Sequence, residues 1–159
     1  DNVTWENKNA PYRMTTPLKI SSSVLTIEPG TTIEFEGGMK IDVDGGVGDE
    51  DKPGLVCVGT PTEKITLTGT TPLAGFWDGI DFAESNNPVN EVAYTTIEYS
   101  GSTDHWGAIY LGSHPTVNVH DVHFKDIDSC AIFVWDAPNP NFTHANNTTE
   151  NVGGGYLCD

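Results

Sequence analysis

The sequence predicts an all-β protein, a parallel β-helix whose three sheets wind through about four to five coils. Three observations carry that expectation. No window of useful length shows a 3.6-residue apolar period, so helix should be nearly absent. Apolar residues instead alternate with polar ones in very short runs, each closed by Gly, Pro, Asn, Thr or Asp. The runs also recur. Ile33-Glu34-Phe35, Ile65-Thr66-Leu67 and Ile97-Glu98-Tyr99 begin 32 residues apart, and Val122-His123-Phe124 follows 25 residues later.

The remaining elements fall into place around these. Leu25-Thr26-Ile27, the run around Val56-Cys57-Val58, Val92-Ala93-Tyr94 and Val117-Asn118-Val119 precede them. Ile41-Asp42-Val43, Ile80-Asp81-Phe82, Ile109-Tyr110-Leu111 and Ile132-Phe133-Val134 follow them. Three strands per repeat return the chain to its starting direction, and repeats that cannot bury their apolar faces alone must stack. Ile33, Ile65, Ile97 and Val122 are expected to form one inward column, and Glu34, Thr66, Glu98 and His123 the outward column beside it. An antiparallel sandwich is disfavoured, because hairpin signals are scarce, Asp44-Gly45 being the main instance. The division is one domain: 1–23 a leader or cap, 24–134 the regular coils, 135–159 a C-terminal coil or cap.

Composition narrows the role. The chain has 159 residues, 23 of them acidic against 7 basic, for a formal charge of −16. Such a surface repels nucleic acid and anionic lipid, and no basic cluster reverses it locally. Cations, basic partners and a saline habitat are all compatible with it. No stretch approaches the length of a membrane span, and the opening DNVTWENKNAPY lacks a signal peptide's features, as in a mature or trimmed chain. Oligomeric state is not read from the sequence.

Three cysteines, Cys57, Cys130 and Cys158, lack zinc-site spacing. Cys130 and Cys158 stand 28 residues apart, close to the repeat length, which sets them one coil apart and within reach of a disulfide. Cys57, in an apolar strand, is expected to stay a free thiol.

Several short texts carry a resemblance: Trp5-Glu6, Pro11-Tyr12, LTIEPGTTIEF (Leu25 to Phe35), Val56 to Thr60, ITLTG (Ile65 to Gly69), GFWDGIDF (Gly75 to Phe82) and TIEYSG (Thr96 to Gly101). Through about Val134 the chain resembles a family of bacterial secreted right-handed parallel β-helix proteins related in fold to pectin lyases. The resemblance implies a right-handed helix and export to the cell surface or medium. It transfers no catalytic residue, since this fold hosts lyases, hydrolases, adhesins and spacers alike.

Candidate chemistry is sparse. A lyase base needs a positioned partner, yet Arg13 is the only arginine, and Lys19, Lys40, Lys64 and Lys125 are scattered as surface charges. Asp78 and Asp81 are the nearest carboxylates for hydrolysis, and Asp42 is expected to meet Asp81 across the ladder. His120 and His123 lie three apart, which in one strand means opposite faces, so a turn would be needed to unite them on a transition metal. Asp42, Asp44, Asp49, Glu50 and Asp51, within IDVDGGVGDEDKPG, offer the oxygens that calcium takes, and calcium is the one cofactor to consider. Asn2, Asn141, Asn146 and Asn147 open glycosylation motifs that matter only in a eukaryotic source.

Aromatic residues give the other face. Trp77, Trp106, Tyr110, Phe133 and Trp135 are expected on or beside the third sheet, with outward Tyr110 above outward Phe133 and with Asp81 nearby. The expected role is a secreted, non-enzymatic module that binds a polysaccharide or a surface protein. The alternative is a carbohydrate-active enzyme, a polysaccharide lyase or glycoside hydrolase.

Overall fold

The computed structural model describes residues 2–45 and 53–159, and they wind through six coils of three short strands each. The first coil holds β1 (Val3–Trp5), β2 (Tyr12–Met14) and β3 (Leu18–Ile20). The second holds β4 (Val24–Ile27), β5 (Thr32–Phe35) and β6 (Lys40–Val43), and the third β7 (Gly54–Val58), β8 (Ile65–Gly69) and β9 (Gly79–Phe82). Next come β10 (Glu91–Ala93), β11 (Thr95–Glu98) and β12 (Gly107–Leu111), then β13 (Val117–His120), β14 (His123–Ile127) and β15 (Cys130–Val134). The last coil holds β16 (Phe142–Ala145), β17 (Thr148–Val152) and β18 (Gly155–Cys158).

Each sheet takes every third strand, six in all, and every pairing is parallel. The crossovers have the right-handed sense that parallel strands impose. Residues 1–23 were expected as a leader or cap; Val3–Trp5, Tyr12–Met14 and Leu18–Ile20 instead pair with the second coil as a full coil. Six coils therefore replace the expected four to five. The only helical turn among the described residues is the 3₁₀ segment Asn7–Asn9.

Alternation predicts most of the burial, while the registers of the first and second sheets differ: in the first, Cys57 is buried between Ile27 and Val92, with Val56 and Val58 half-buried, and Val92 pairs with Val119. Ile33, Ile65, Ile97 and Val122 are all buried, yet they occupy two neighbouring columns. Ile33 pairs with Leu67, Leu67 with Ile97 and Ile97 with Phe124, whereas Ile65 pairs with Thr95. The outward set splits likewise: Glu34, Thr68, Glu98 and Lys125 form one line, and Thr32, Thr66, Thr96 and His123 another. A shift of two residues keeps every side chain on its face, so the inside–outside pattern alone could not fix it. In the third sheet the expected register is observed, with Ile41, Ile80, Ile109 and Ile132 in one column.

Corners of one or two residues with a left-handed member separate some strands of the first and second sheets. They lie in the last three coils, where Tyr94 alone, Asp121 followed by Val122, and Asn146 followed by Asn147 stand between the strands, with φ of 45°, 53° and 55° at Tyr94, Asp121 and Asn146. Asp and Asn tolerate this left-handed region better than most residues, and stacking like corners lets successive coils repeat one path. Asn147 reinforces the bend, accepting from Val122 N at 2.9 Å and donating to the Val119 carbonyl at 2.9 Å.

Cys130 and Cys158 form the expected disulfide, with Cα atoms 6.2 Å apart. It pins a last coil whose strands are mostly exposed, and in the chain-entropy description a loop of this size contributes roughly 3–4 kcal/mol. Cys57 is free and buried, and burial pushes its thiol up to about 12, which leaves it unreactive.

Trp77 lies inside, a correction to its expected place on the outer aromatic face. It is 0 % exposed, stacks on Phe35 at 4.0 Å between centroids, and donates its indole N–H to the Glu98 carbonyl at 2.9 Å. Its loop folds back and fills the space between coils, so Trp77 acts as core. Replacing Trp77 by Ala should cost about 3–5 kcal/mol in urea unfolding, through lost burial and the cavity left behind. A loss below about 0.5 kcal/mol, typical of surface sites, would contradict this placement.

Candidate functional site

The outer face of the third sheet collects the candidate residues. Pairing places Lys19, Asp42, Asp81, Tyr110, Phe133 and Cys158 in one outward line, one from each coil. The expected meetings of Asp42 with Asp81 and of Tyr110 with Phe133 are therefore both present. Gly79 allows β9 to lie this close to β12: its φ is +121°, and a Cβ there would meet the Ala108 carbonyl oxygen at 2.3 Å.

The segment between β11 and β12 folds over this line. His105 N and Trp106 N both bond to the Ser102 carbonyl, at 2.9 and 3.0 Å, and Ser102 Oγ donates to Asp78 Oδ1 at 2.8 Å. Asp78 thus anchors the loop. The loop carries His105 over Asp81 and sets Trp106 beside Tyr110 and Phe133. Asp81, Asp104, His105, Trp106 and Tyr110 line a cavity of about 240 Å³.

Aromatic rings continue outward from the cavity. Tyr110 and Phe133 stack with centroids 5.9 Å apart and planes within 7°, and Trp106 and Trp135 stack at 5.0 Å and 14°. Trp106 meets Phe133 at 5.2 Å, which joins the two pairs into one strip. Trp106 is 41 % exposed and Trp135 53 %, so this end of the strip is open to solvent.

The polar end is an ion cluster. Lys40 Nζ lies 2.9 Å from Asp81 Oδ2 and 3.8 Å from Asp42 Oδ2, and His105 Nε2 lies 3.5 Å from Asp81 Oδ2. Burial alone would raise the Asp81 carboxyl, but His105 and Lys40 outweigh it and hold Asp81 below the ordinary carboxylate value. Burial works against a charged His105, yet Asp81 and the Gly107 carbonyl raise it above its ordinary value. Asp42 moves the other way, raised chiefly by burial.

The other sequence candidates are dispersed. Arg13 sits on the second sheet, paired with Glu36. Asp44 pairs with Lys19 at 2.7 Å, while Asp49 and Asp51 of the proposed calcium set lie outside the described residues. Among the described residues no group of three or more His, Cys, Asp or Glu side chains is placed to hold a metal. His120 and His123 do share the outward side, because the Asp121 corner turns the chain between them. Each has its own partners: His120 bonds Asp121 and Glu91, both at 2.8 Å, and His123 bonds Thr148 at 2.9 Å.

His105 and Lys40 are the residues that sequence reasoning missed as site members. Lys40 was legible, being two residues before Asp42 on the same face. His105 had no local signal, since it arrives through a loop.

Fold and face together define a right-handed parallel β-helix with a mixed-charge cavity opening onto an aromatic strip on one outer sheet. Comparison with family models, with curated proteins and with solved structures gave no match.

A pH dependence follows from His105, which faces Asp81 with Lys40 and Asp42 behind it, Asp78 and Asp104 on its loop side, and Tyr110 alongside. Because its folded value is raised above 6.5, its stabilisation is complete below pH 6.5 and is lost as pH rises through the folded value. NMR titration of the His105 ring should give a midpoint above 6.5, and His105→Gln should flatten the fall in stability across that window. A midpoint below 6.5 would contradict the geometry.

Proposed function

We propose that this chain is an exported, non-enzymatic module that binds carbohydrate on the outer face of its third sheet. One observation carries the reading: the exposed Trp106–Trp135 stack that runs into Tyr110–Phe133 and ends at a polar cavity. Flat aromatic faces bury the C–H face of a sugar ring, and adjacent polar groups fix its orientation. A protein partner is less well matched, since the strip is narrow and adjoins charged groups already paired with one another. The Cys130–Cys158 disulfide supports an oxidising compartment, in keeping with export to the cell surface or medium.

A carbohydrate-active enzyme is the second reading, favoured by the opposed shifts of Asp42, raised by burial, and Asp81, lowered despite burial by His105 and Lys40. Environments that push two neighbouring carboxyls apart are how acid and base roles are assigned. Lys40 weighs against it, because it contacts both carboxylates and holds them as an ion-pair cluster. Arg13, the other base a lyase would want, is on a different sheet.

A polysaccharide array coupled to product detection separates the readings. Binding without product is the expected result, and Trp106→Ala and Trp135→Ala should each weaken it about tenfold, the loss of one ring contact. Unsaturated or reducing products formed by the wild-type chain would establish the second reading instead.

A further inference from the structure

Two accessible carboxylates flank the exposed tryptophans of the third sheet's outer face. Asp104 precedes Trp106 by two residues on the loop over the sheet and lines the same cavity as His105, Trp106 and Tyr110. Asp136 directly follows Trp135; after burial and Asp81 it is the next influence that raises the Tyr110 hydroxyl, so its charge reaches the strip. Both aspartates are exposed, and neither has a hydrogen-bond or ion-pair partner among the described residues.

The cations of this sheet are already committed. Lys19 pairs with Asp44 at 2.7 Å, Lys40 with Asp81 at 2.9 Å and Asp42 at 3.8 Å, and His105 faces Asp81 at 3.5 Å. Arg13 and Lys125 stand on the second sheet, Lys8 in the 3₁₀ turn of the first coil, and Lys64 directly before β8. Lys40 and His105 at most balance Asp42 and Asp81, and Asp78 on the loop side is held by the Ser102 hydroxyl, which is neutral. Asp104 and Asp136 are therefore surplus negative charge, with or without a proton on His105.

An aromatic strip between uncommitted carboxylates suits a ligand that brings flat apolar faces and positive charge together. A pyranose with equatorial substituents lays its C–H face on an indole and projects those substituents from the ring edge. Amino groups at that edge reach the carboxylates beside the rings, and a protonated amine over the next indole gains a cation–π contact, for which tryptophan is the best partner. A uronate would bring its own negative charge to the same place, where like charges repel. The formal charge of −16 also draws a polycation from a distance and repels a polyanion.

Resting on the carbohydrate reading above, we propose that this face selects cationic glycans, polymers of hexosamine with free amino groups, over neutral and uronic-acid glycans. Trp106 and Trp135 carry the sugar rings, and Asp104 and Asp136 are the specificity-determining residues that meet the ammonium groups. A lysine-rich peptide offers the charge without the flat C–H faces that the indoles receive.

Calorimetry with the whole chain tests this at a pH where sugar amines are protonated. The ligands are a glucosamine hexasaccharide, its fully N-acetylated counterpart, a glucose hexasaccharide, a galacturonate hexasaccharide and hexalysine. N-acetylation keeps the ring and the linkage and removes the charge. The glucosamine hexasaccharide should bind at least about tenfold more tightly than any of the others, since exposed ion pairs and a cation–π contact are worth about threefold each. Salt at about 1 M, where the Debye length falls to about 3 Å, should remove most of that advantage. Asp104→Asn and Asp136→Asn should each narrow the gap to the N-acetylated sugar about threefold. Equal or tighter binding of the N-acetylated, glucose or galacturonate sugar would overturn the proposal while leaving the carbohydrate reading intact. So would a full gap retained by both variants when folded, as judged by circular dichroism. Hexalysine binding as tightly as the glucosamine hexasaccharide would overturn it in favour of a basic peptide, and absence of binding to every sugar would overturn both readings. Should a variant fail to fold, the wild-type comparison of the free and N-acetylated sugars decides the matter.

Discussion

The parallel ladder between coils is the constraint on which the rest depends. A single coil of three- to five-residue strands has no opposite sheet to bury its apolar face, so each coil is stable only when its neighbours complete it. Stacking then forces like on like: Ile41, Ile80, Ile109 and Ile132 inside, Tyr94, Asp121 and Asn146 at one corner. The coils at the two ends have a neighbour on one side among the described residues. At one of them the disulfide supplies part of what packing does not.

The same constraint builds the outer face. Side chains four to five ångströms apart along a ladder meet whatever their separation in sequence, so Lys40 reaches Asp81 across 41 residues and Tyr110 stacks on Phe133 across 23. An acidic chain would otherwise place its carboxylates where they repel. Here Lys19 and Lys40, two of seven basic residues, are spent on Asp44, Asp42 and Asp81 along this one sheet. The result is a locally compensated patch on an acidic molecule, and an aromatic strip can remain exposed beside it.

Period-two alternation made the strands and their buried faces legible, and the near-equal spacing of runs made the stacking legible. The disulfide followed from spacing as well. Exact partners in the second sheet were not legible, because Ile65-Thr66-Leu67 fits its neighbours equally well when moved by two residues. The first coil was missed because its strands are three residues each and lie beyond the repeating text. Trp77 was misplaced for a different reason: it sits in a loop, where alternation says nothing about direction. His105 shares that reason, and only the folded path of residues 101–106 shows that it covers Asp81.

The chain's four tryptophans, Trp5, Trp77, Trp106 and Trp135, give the most direct measurement. Their indole N–H signals can be followed by NMR during titration with an oligosaccharide that the chain binds. Binding on the outer third sheet should move the Trp106 and Trp135 signals together and leave Trp5 and buried Trp77 in place. Movement of Trp5 alone, or saturation with Trp106 and Trp135 unmoved, would contradict the assignment of this face as the ligand site.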